Sequence, residues 1–596
     1  MSFKNFQNIH QMLKETVDHH GEKSAYRWFN DAGQMESNSW NTFYRDVKNV
    51  SKSLLALGIE KNQKVNILSY TCLQWLMVDF GIVSTGAVTV GIYQSNLPKD
   101  CQYIIDHSDA VLIFVENEEQ LEKILSIRND IPNIRNVVMF NGSHPDDWVL
   151  SFEQFIALGK DVPDSDFEQR ANEVQPADMA GIVYTSGTTG VPKGVMLSHD
   201  NITFTVESVL QSTVIQEGEG GFLFLPLAHV FARITVYAAM AASAPITFTR
   251  SMETIVDDIK ASQPIWFPSV PRIYEKVYAK VIGGAEAKGG LALKIFRWAV
   301  AVGNQVSDFK LAKKPVPALL NQKYKLATKL VFSKIQAALG GQIKWCISGA
   351  APISPDIAKF FHAAGILILE GIGMTENTSF TNVNRFDNYR FGWVGQAGPG
   401  IELKIADDGE LLTRGRNTMM GYYKMPEETA ATISEDGWLH TGDIGEIDEE
   451  GFLRITGRKK DLIITAGGKN IAPAAIENVL ATCKYINQVC VIGDKRKFLS
   501  ALVTVDPDVV KEYAAANGIE FNDLEDLIEH EQITQTVQTQ IETLNTNFAS
   551  YESIKKITIV PEFTIENGLL TPTMKLKKNI IIKRYQTEIE AMYPNS

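Results

Sequence analysis

Cysteine is scarce. Five are spread over 596 residues, at Cys72, Cys101, Cys346, Cys483 and Cys490, and no two form a CxxC pair. That spacing makes neither a disulfide framework nor a zinc site, and it suits a reducing compartment. An excess of positive charge is also missing: 57 Lys and Arg stand against 70 Asp and Glu, a net charge of −13. That balance argues against nucleic acid as the main partner, because binding a phosphate backbone wants a basic surface. Long apolar runs are absent too. The longest nearly uncharged one, Ile234 to Phe248, falls short of the ~20 residues of a membrane helix, and Pro245 interrupts it. It reads as a buried core element. The start, MSFKNFQNIHQMLKE, has no apolar region, so no secretory signal is expected, and the closing YPNS is neither a peroxisomal SKL nor a lipidation box. A cytoplasmic protein is expected.

What is present is ordinary for a globular chain: 45% hydrophobic and 21% charged residues. A disordered chain, a collagen-like fibre and a coiled coil are excluded, and the length implies several lobes. Short apolar strands alternate with helices. Lys64–Tyr70, Ala87–Tyr93, Ala110–Asn117 and Asn136–Phe140 read as strands, with a helix after the first and another after the third. This pattern predicts an α/β fold with parallel sheet. After about Gly457 the texture changes. A Gly- and Lys-rich stretch leads into a helix from Pro473, strands at QVCVIGD and SALVTVD, helices from Val509 to about Asn547 and a strand KITIV. The expected division is a large domain over 1–459 and a small α+β domain over 460–596.

One segment stands apart in charge. Residues 309–344 hold eight lysines and no Asp or Glu. After Pro315 and Pro317 they read as an amphipathic helix closed by Gly340–Gly341. Peripheral contact with anionic lipid, at the inner face of a membrane, is one reading. The plainer one is a solvated lysine face over a packed stripe of Leu326, Leu330 and Ile335.

The strongest signal is Tyr184-Thr-Ser-Gly-Thr-Thr-Gly-Val-Pro-Lys-Gly-Val-Met-Leu-Ser-His199, which follows an apolar strand. Gly187, Gly190 and Gly194 let the backbone turn tightly and aim N–H groups at an anion. Thr185, Ser186, Thr188 and Thr189 add hydroxyls, and Lys193 adds charge. The set suits a polyphosphate, though GKS or GKT of a Walker A loop is missing. This block resembles the phosphate loop of the acyl-adenylate-forming enzymes, the AMP-binding superfamily of acyl-CoA synthetases, luciferases and peptide-synthetase adenylation domains. Further blocks resemble that family in order, to about residue 578, and the long-chain fatty acid–CoA ligases within it.

The resemblance implies roles for named residues. His229, in LPLAHVFAR, matches a histidine beside the acyl pocket. Trp345–Pro352 resembles the strand and turn bordering adenine, where Gly349, Ala350 and Ala351 let a flat base lie against the backbone. In Glu370–Asn377, Gly371, Ile372, Met374 and Thr375 are implied nucleotide contacts, and Thr375 meets phosphate. Ile372 replaces the usual aromatic, so stacking on adenine is lost or becomes aliphatic contact. Glu376 and Thr188 are the implied holders of Mg²⁺. Asp443 matches the ribose-binding carboxylate, Arg458 a second ribose and phosphate contact, and Lys460 the hinge of a mobile small lid domain. Gly467, Gly468 and Lys469 lie in a loop implied to face the thiol. Lys575, in the block Thr571–Lys578, matches the catalytic lysine.

The activity implied is ATP-dependent activation of a fatty acid to acyl-AMP, with release of pyrophosphate, then transfer to coenzyme A. A fatty acyl-AMP ligase serving a carrier protein is the alternative. ATP, Mg²⁺ and coenzyme A are the implied co-substrates. Lys575, Glu376 and the loop would neutralise charge developing at the α-phosphate. Other chemistries lack their residues. His530-Glu531 has no second histidine at 534, and neither Ser186 nor Ser348 sits in GxSxG.

Overall fold

The computed structural model describes residues 3–185, 191–212, 215–467, 469–571 and 574–594. Two large sheets and a small antiparallel one precede residue 459. The eight-stranded sheet carries Lys64–Leu68 at its centre, with Val88–Ile92 and Ala110–Val115 on either side, all parallel. These are the apolar runs of the sequence, and Val65, Ile67, Val90, Ile113 and Phe114 are buried. Burial on both faces is what a parallel sheet under helices demands of its strands.

The nine-stranded sheet joins Gly221–Leu223, Trp266–Ser269, Trp345–Ser348 and Leu367–Ile372 in parallel register. The apolar run from Ile234 to Phe248 lies within the core, as read. It supplies the end of helix Val230–Ala241 and the strand Ile246–Phe248, which pairs with Gly221–Leu223. Among the described residues no helix is long and apolar enough to cross a membrane. A four-stranded antiparallel sheet, Glu402–Ile405, Glu410–Arg414, Leu439–Ile447 and Leu453–Arg458, completes this part.

Beyond it, strands Ile486–Ile492, Leu499–Val505 and Ile554–Ile559 form a three-stranded sheet with helices Pro473–Leu480, Pro507–Asn517 and Glu531–Leu544. It has its own apolar cores, one around Ile476, Val503 and Val537, another around Leu502, Leu570 and Ile581.

One expectation is corrected. The basic segment is helical from Ala318 to Ala338, with a wider π turn at Thr328–Phe332. Its packed stripe, however, is Ala327, Phe332, Ile335 and Leu339, not Leu326 and Leu330. Leu326 is 50% and Leu330 41% exposed. The buried stripe is set by Tyr324, whose hydroxyl donates to the Ala363 carbonyl, and by Gln336, whose amide donates to the Ala364 carbonyl. Those two anchors rotate Leu326 and Leu330 outward.

Candidate active site

The C-terminal ends of the parallel strands Trp266–Ser269, Trp345–Ser348 and Leu367–Ile372 open into a cavity of about 1390 Å³. Open α/β sheets bind ligands at this edge, because the loops leaving the strands diverge there. After Ser348 the chain turns through Gly349 and Ala350, and Ala350 has φ +70°, a left-handed conformation uncommon for a residue with a side chain. Gly349, Ala350 and Ala351 line the cavity, as do Gly371, Ile372, Met374 and Thr375 across from them. Gly373 admits no side chain: a Cβ there would lie 2.1 Å from the Ser379 carbonyl oxygen. The turn Thr375–Asn377 is fixed by Asn377, whose side-chain oxygen accepts from the Met374 N–H at 2.8 Å.

A hairpin from the other large sheet supplies two more residues. Strands Met179–Thr185 and Lys193–Ser198 pair antiparallel, which sets Thr185 opposite Lys193 at the cavity. Ser186, Gly187, Thr188, Thr189, Gly190 and Gly468 lie outside the described residues. Lys193 places its ammonium 4.8 Å from the Tyr422 ring centre, and the Tyr422 hydroxyl donates to Glu376 Oε1 at 2.8 Å. Burial and then the Glu376 charge raise the Tyr422 pKa, so this phenol stays a donor. Tyr422 had no place in the sequence reading; the Gly421-Tyr422-Tyr423 run, between a methionine pair and a helix start, is the signal for it.

Asp443 and Arg458 face each other as register partners on adjacent antiparallel strands. The Arg458 Nε–H donates to Asp443 Oδ1 at 2.8 Å, and the Asp443 charge raises the guanidinium pKa further. Asp443 is buried, while Lys460 is exposed at the cavity rim. Lys575 enters from the small unit. Its backbone is clamped to Thr571, which donates its N–H to the Lys575 carbonyl at 2.8 Å while its hydroxyl accepts the Lys575 N–H at 3.0 Å. The side chain is open to the cavity yet ringed by protein. Enclosure and then the Arg458 charge lower its pKa, against the pull of Asp443, Glu376 and Asp461. His229 caps the helix Val230–Ala241 through Nδ1, which accepts the Phe231 N–H at 3.1 Å. Burial, then the Lys575 charge, lower His229 to about 4, so it is neutral at pH 7.

A second carboxyl lacks a role from sequence. Glu370 is buried, accepts the Ile353 N–H at 3.2 Å, and is pushed up to about 8 by burial. Gly467 and Lys469 do not line the cavity; Lys469 instead lies over the Tyr551 ring at 5.5 Å. The rest of that block does reach it, through Ala472 and Pro473. The small unit is held against the large one by Arg272 donating to Asn487, by Asn478 donating to the Pro352 carbonyl at 3.4 Å, and by Lys484 3.7 Å from Glu286.

Comparison with known proteins adds three findings. The model of the AMP-binding enzyme family matches residues 13–423, and that of the AMP-binding enzyme C-terminal domain matches 460–596. The chain is 34% identical over 552 residues to the long-chain-fatty-acid–CoA ligase FadD15 of Mycobacterium tuberculosis, covering 92% of this chain and 90% of that protein. It is 33% identical over 620 residues to the long-chain-fatty-acid–CoA ligase ACSBG1 of Homo sapiens, covering 98% and 85%. Among solved structures, the adenylation domain of a Mycobacterium chelonae carboxylate reductase superposes with a TM-score of 0.78 at 20% identity, over 98% of this chain and 91% of that one. The anthranilate CoA ligase AuaEII in complex with anthranoyl-AMP gives a TM-score of 0.73 at 20% identity, over 99% of each chain. At that identity the structural likeness is one of fold.

Proposed function

Because the chain belongs to the AMP-binding enzyme family, we propose that it is an AMP-forming long-chain fatty acid–CoA ligase. It converts a fatty acid and ATP to acyl-AMP and pyrophosphate, then acyl-AMP and coenzyme A to acyl-CoA and AMP. The observation that carries this reading is the convergence of Glu376, Asp443, Arg458 and Lys575 on one cavity, from elements up to 199 residues apart in sequence. Relatives over nearly the whole chain are long-chain-fatty-acid–CoA ligases, which supports the substrate class. The likeness to carboxylate-reductase domains is of fold alone and gives a carrier protein no advantage over coenzyme A as acceptor.

In this proposal Asp443 accepts the ribose hydroxyls and Arg458, fixed by it, faces ribose and phosphate. Gly349, Ala350, Ala351, Gly371, Ile372 and Met374 enclose the base, while Thr185, Lys193 and Thr375 meet phosphate oxygens, with the loop 186–190. The carboxylate and ATP are both anions, so their approach is opposed by charge. Lys575 donates to the oxygen on which charge builds and lowers that barrier, with the ordered cavity replacing solvent reorganisation. Neutral His229 at a helix start meets the acyl carboxyl without adding charge.

Mg²⁺ fits the donors present. Among the described residues no cluster of three or more His, Cys, Asp or Glu could cage a metal. One hard carboxylate, Glu376, with Thr188 and the ATP phosphates is a magnesium-like set, and the ion would supply charge neutralisation at the phosphates.

The proposed division is a large domain over 1–459 and a mobile lid over 460–596, turning at Lys460. With Lys575 inserted, Gly467 and Lys469 stand outside the cavity, which supports an adenylating arrangement; the thioester step would turn the lid and exchange them. The chain is also proposed to work in the cytoplasm, with 309–344 in peripheral contact with the inner membrane face. The test is Lys575→Ala. Pyrophosphate release should fall 100-fold or more, while acyl-CoA formation from supplied acyl-AMP survives. Equal loss of both steps refutes the assignment.

A further inference from the structure

Charge is divided unevenly in this protein. Residues 271–344 contain 14 Lys and Arg against three Asp and Glu, a net +11, although the whole chain is at −13. They fold into one helical lobe: Pro271–Lys288, Gly290–Leu311, then the run from Ala318 to Ala338. The last run packs on the second helix, which packs on Pro355–Ala363 of the main body, and Tyr324 and Gln336 tie it to the chain at 363 and 364, so its other side forms an outer layer.

The outward face of that layer is not simply solvated lysine. Leu319, Lys323, Leu326, Leu330 and Lys334 follow one another at steps of three or four, which places them along one side of the helix. Leu319 is 66% exposed, Leu326 50% and Leu330 41%, while the opposite side holds Ala327, Phe332 and Ile335 in the core. Leucines left this exposed on the water side of a helix contribute far less to the fold than its buried side does. Leu291, near the start of the second helix, is 73% exposed as well. Among the described residues, Lys314, Lys323, Lys325, Lys329 and Lys334 are paired with no carboxylate. Their charge is free for another surface.

We infer that this lobe is a docking platform for an anionic lipid bilayer, with Leu319, Leu326 and Leu330 entering the headgroup–acyl boundary and the lysines meeting lipid phosphates. The inference rests on the fatty acid reading above and extends its membrane contact from 309–344 to a lobe with defined penetrating residues. Alternating leucine and lysine suits a lipid boundary, where apolar and charged layers lie within a few ångströms of each other. The lobe is also joined to the cavity: Pro271, Arg272 and Glu275, in the first turn of its first helix, form part of the cavity wall. A protein docked by this face meets its substrate where long-chain acids partition.

The test is co-sedimentation of the full chain, without ATP or coenzyme A, with phosphatidylcholine vesicles containing 30% phosphatidylglycerol, and with pure phosphatidylcholine. Binding is expected to the anionic vesicles and to be reversed by 0.5 M salt. The triple variant Lys323→Gln, Lys329→Gln, Lys334→Gln should bind about 100-fold more weakly, roughly five-fold for each lysine. The variant Leu319→Gln, Leu326→Gln, Leu330→Gln should also lose binding and keep wild-type turnover of acid supplied in solution, which shows that it folds. No sedimentation of the wild type at 0.1 M salt, or sedimentation of both variants like wild type, overturns the platform. Ligase turnover is read separately, so an inactive chain that binds vesicles refutes the function and leaves the platform standing.

Discussion

Tyr422→Phe isolates one bond at the site. The Tyr422 hydroxyl donates to Glu376 Oε1 at 2.8 Å, and the ring also receives the Lys193 ammonium at 4.8 Å from its centre. Phenylalanine keeps the ring and therefore the cation contact, and removes only the donor. Hydrogen bonds to a charged group contribute about 1.5–3 kcal/mol. If that energy holds Glu376 in its working orientation, its loss slows adenylation by about 10- to 150-fold. Half-saturation by Mg²⁺ should move upward, because the carboxylate proposed to hold the ion is less well ordered. In the proposed mechanism thioester formation from supplied acyl-AMP does not use Glu376, so it should stay within two-fold. The assay is single-turnover pyrophosphate release over a Mg²⁺ titration, beside acyl-CoA formation from acyl-AMP. A rate within two-fold of wild type with an unmoved Mg²⁺ dependence refutes the positioning role. Equal slowing of both half-reactions refutes it as well, since that outcome reports damage to the whole cavity.

Two predictions concern stability. Asp79 is fully buried and accepts from Arg233 at 3.0 and 2.5 Å and from the Tyr237 hydroxyl at 2.5 Å, and this pairing raises the Arg233 pKa although burial alone would lower it. Asp79→Asn leaves a buried cation unpaired and should cost about 3–5 kcal/mol, read as a lower denaturation midpoint; a loss below about 1 kcal/mol contradicts it. Burial lowers His10, His229 and His362 to about 4 and His199 to about 3. In the unfolded chain they take up protons near pH 6.5, so the unfolded state binds more protons between that pH and about 4. Their contribution is complete above pH 6.5 and lost as pH falls, by up to about 2 kcal/mol each at pH 5; a midpoint unchanged between pH 7 and pH 5 removes this account.

The parallel strands were legible because burial on both faces writes an apolar run, unbroken in Ala110–Val115 and interrupted by one buried polar residue, Asn66, at residues 65–68. The site was legible where function compresses several residue types into one short block, as around Thr375 and Glu376. Tyr422 and Glu370 were less so, for different reasons. Tyr422 acts through a bond to a residue 46 positions away, and no local period records such a pairing. Glu370 stands inside a block that was read, but its raised pKa comes from burial at a strand end, which depends on the neighbouring strands. The lysine helix shows the limit of periodicity from the other side. Leucines at helical spacing fit either face, and the choice was made by hydrogen bonds from Tyr324 and Gln336 to the chain at 363 and 364.

The proposed turning of the lid accords with how its two arms are rooted. The strands Ile463–Ile464 and Asn470–Ile471, which flank Gly467 and Lys469, pack into the core through Ile463 and Ile471, with Ile476, Val503 and Val537. The Lys575 hairpin, closed by the pairing of Leu570 with Leu576, packs into the other core with Cys490, Leu502 and Ile581. Val503 and Leu502 are neighbours on one strand, and successive strand side chains point to opposite faces. The two arms are therefore fastened to opposite faces of the same sheet. Neither can cross to the cavity alone without leaving its core, and burying residues such as Leu480 or Leu570 is worth about 1.5–3 kcal/mol apiece. Rotating the whole unit leaves both cores intact. Contacts between the units, such as Arg272 with Asn487, Asn478 with Pro352, Lys484 near Glu286 and Ala472 against Gly457, must then be exchanged. The lysine proposed for the first step and the loop proposed for the second could thus share one cavity by taking turns in it.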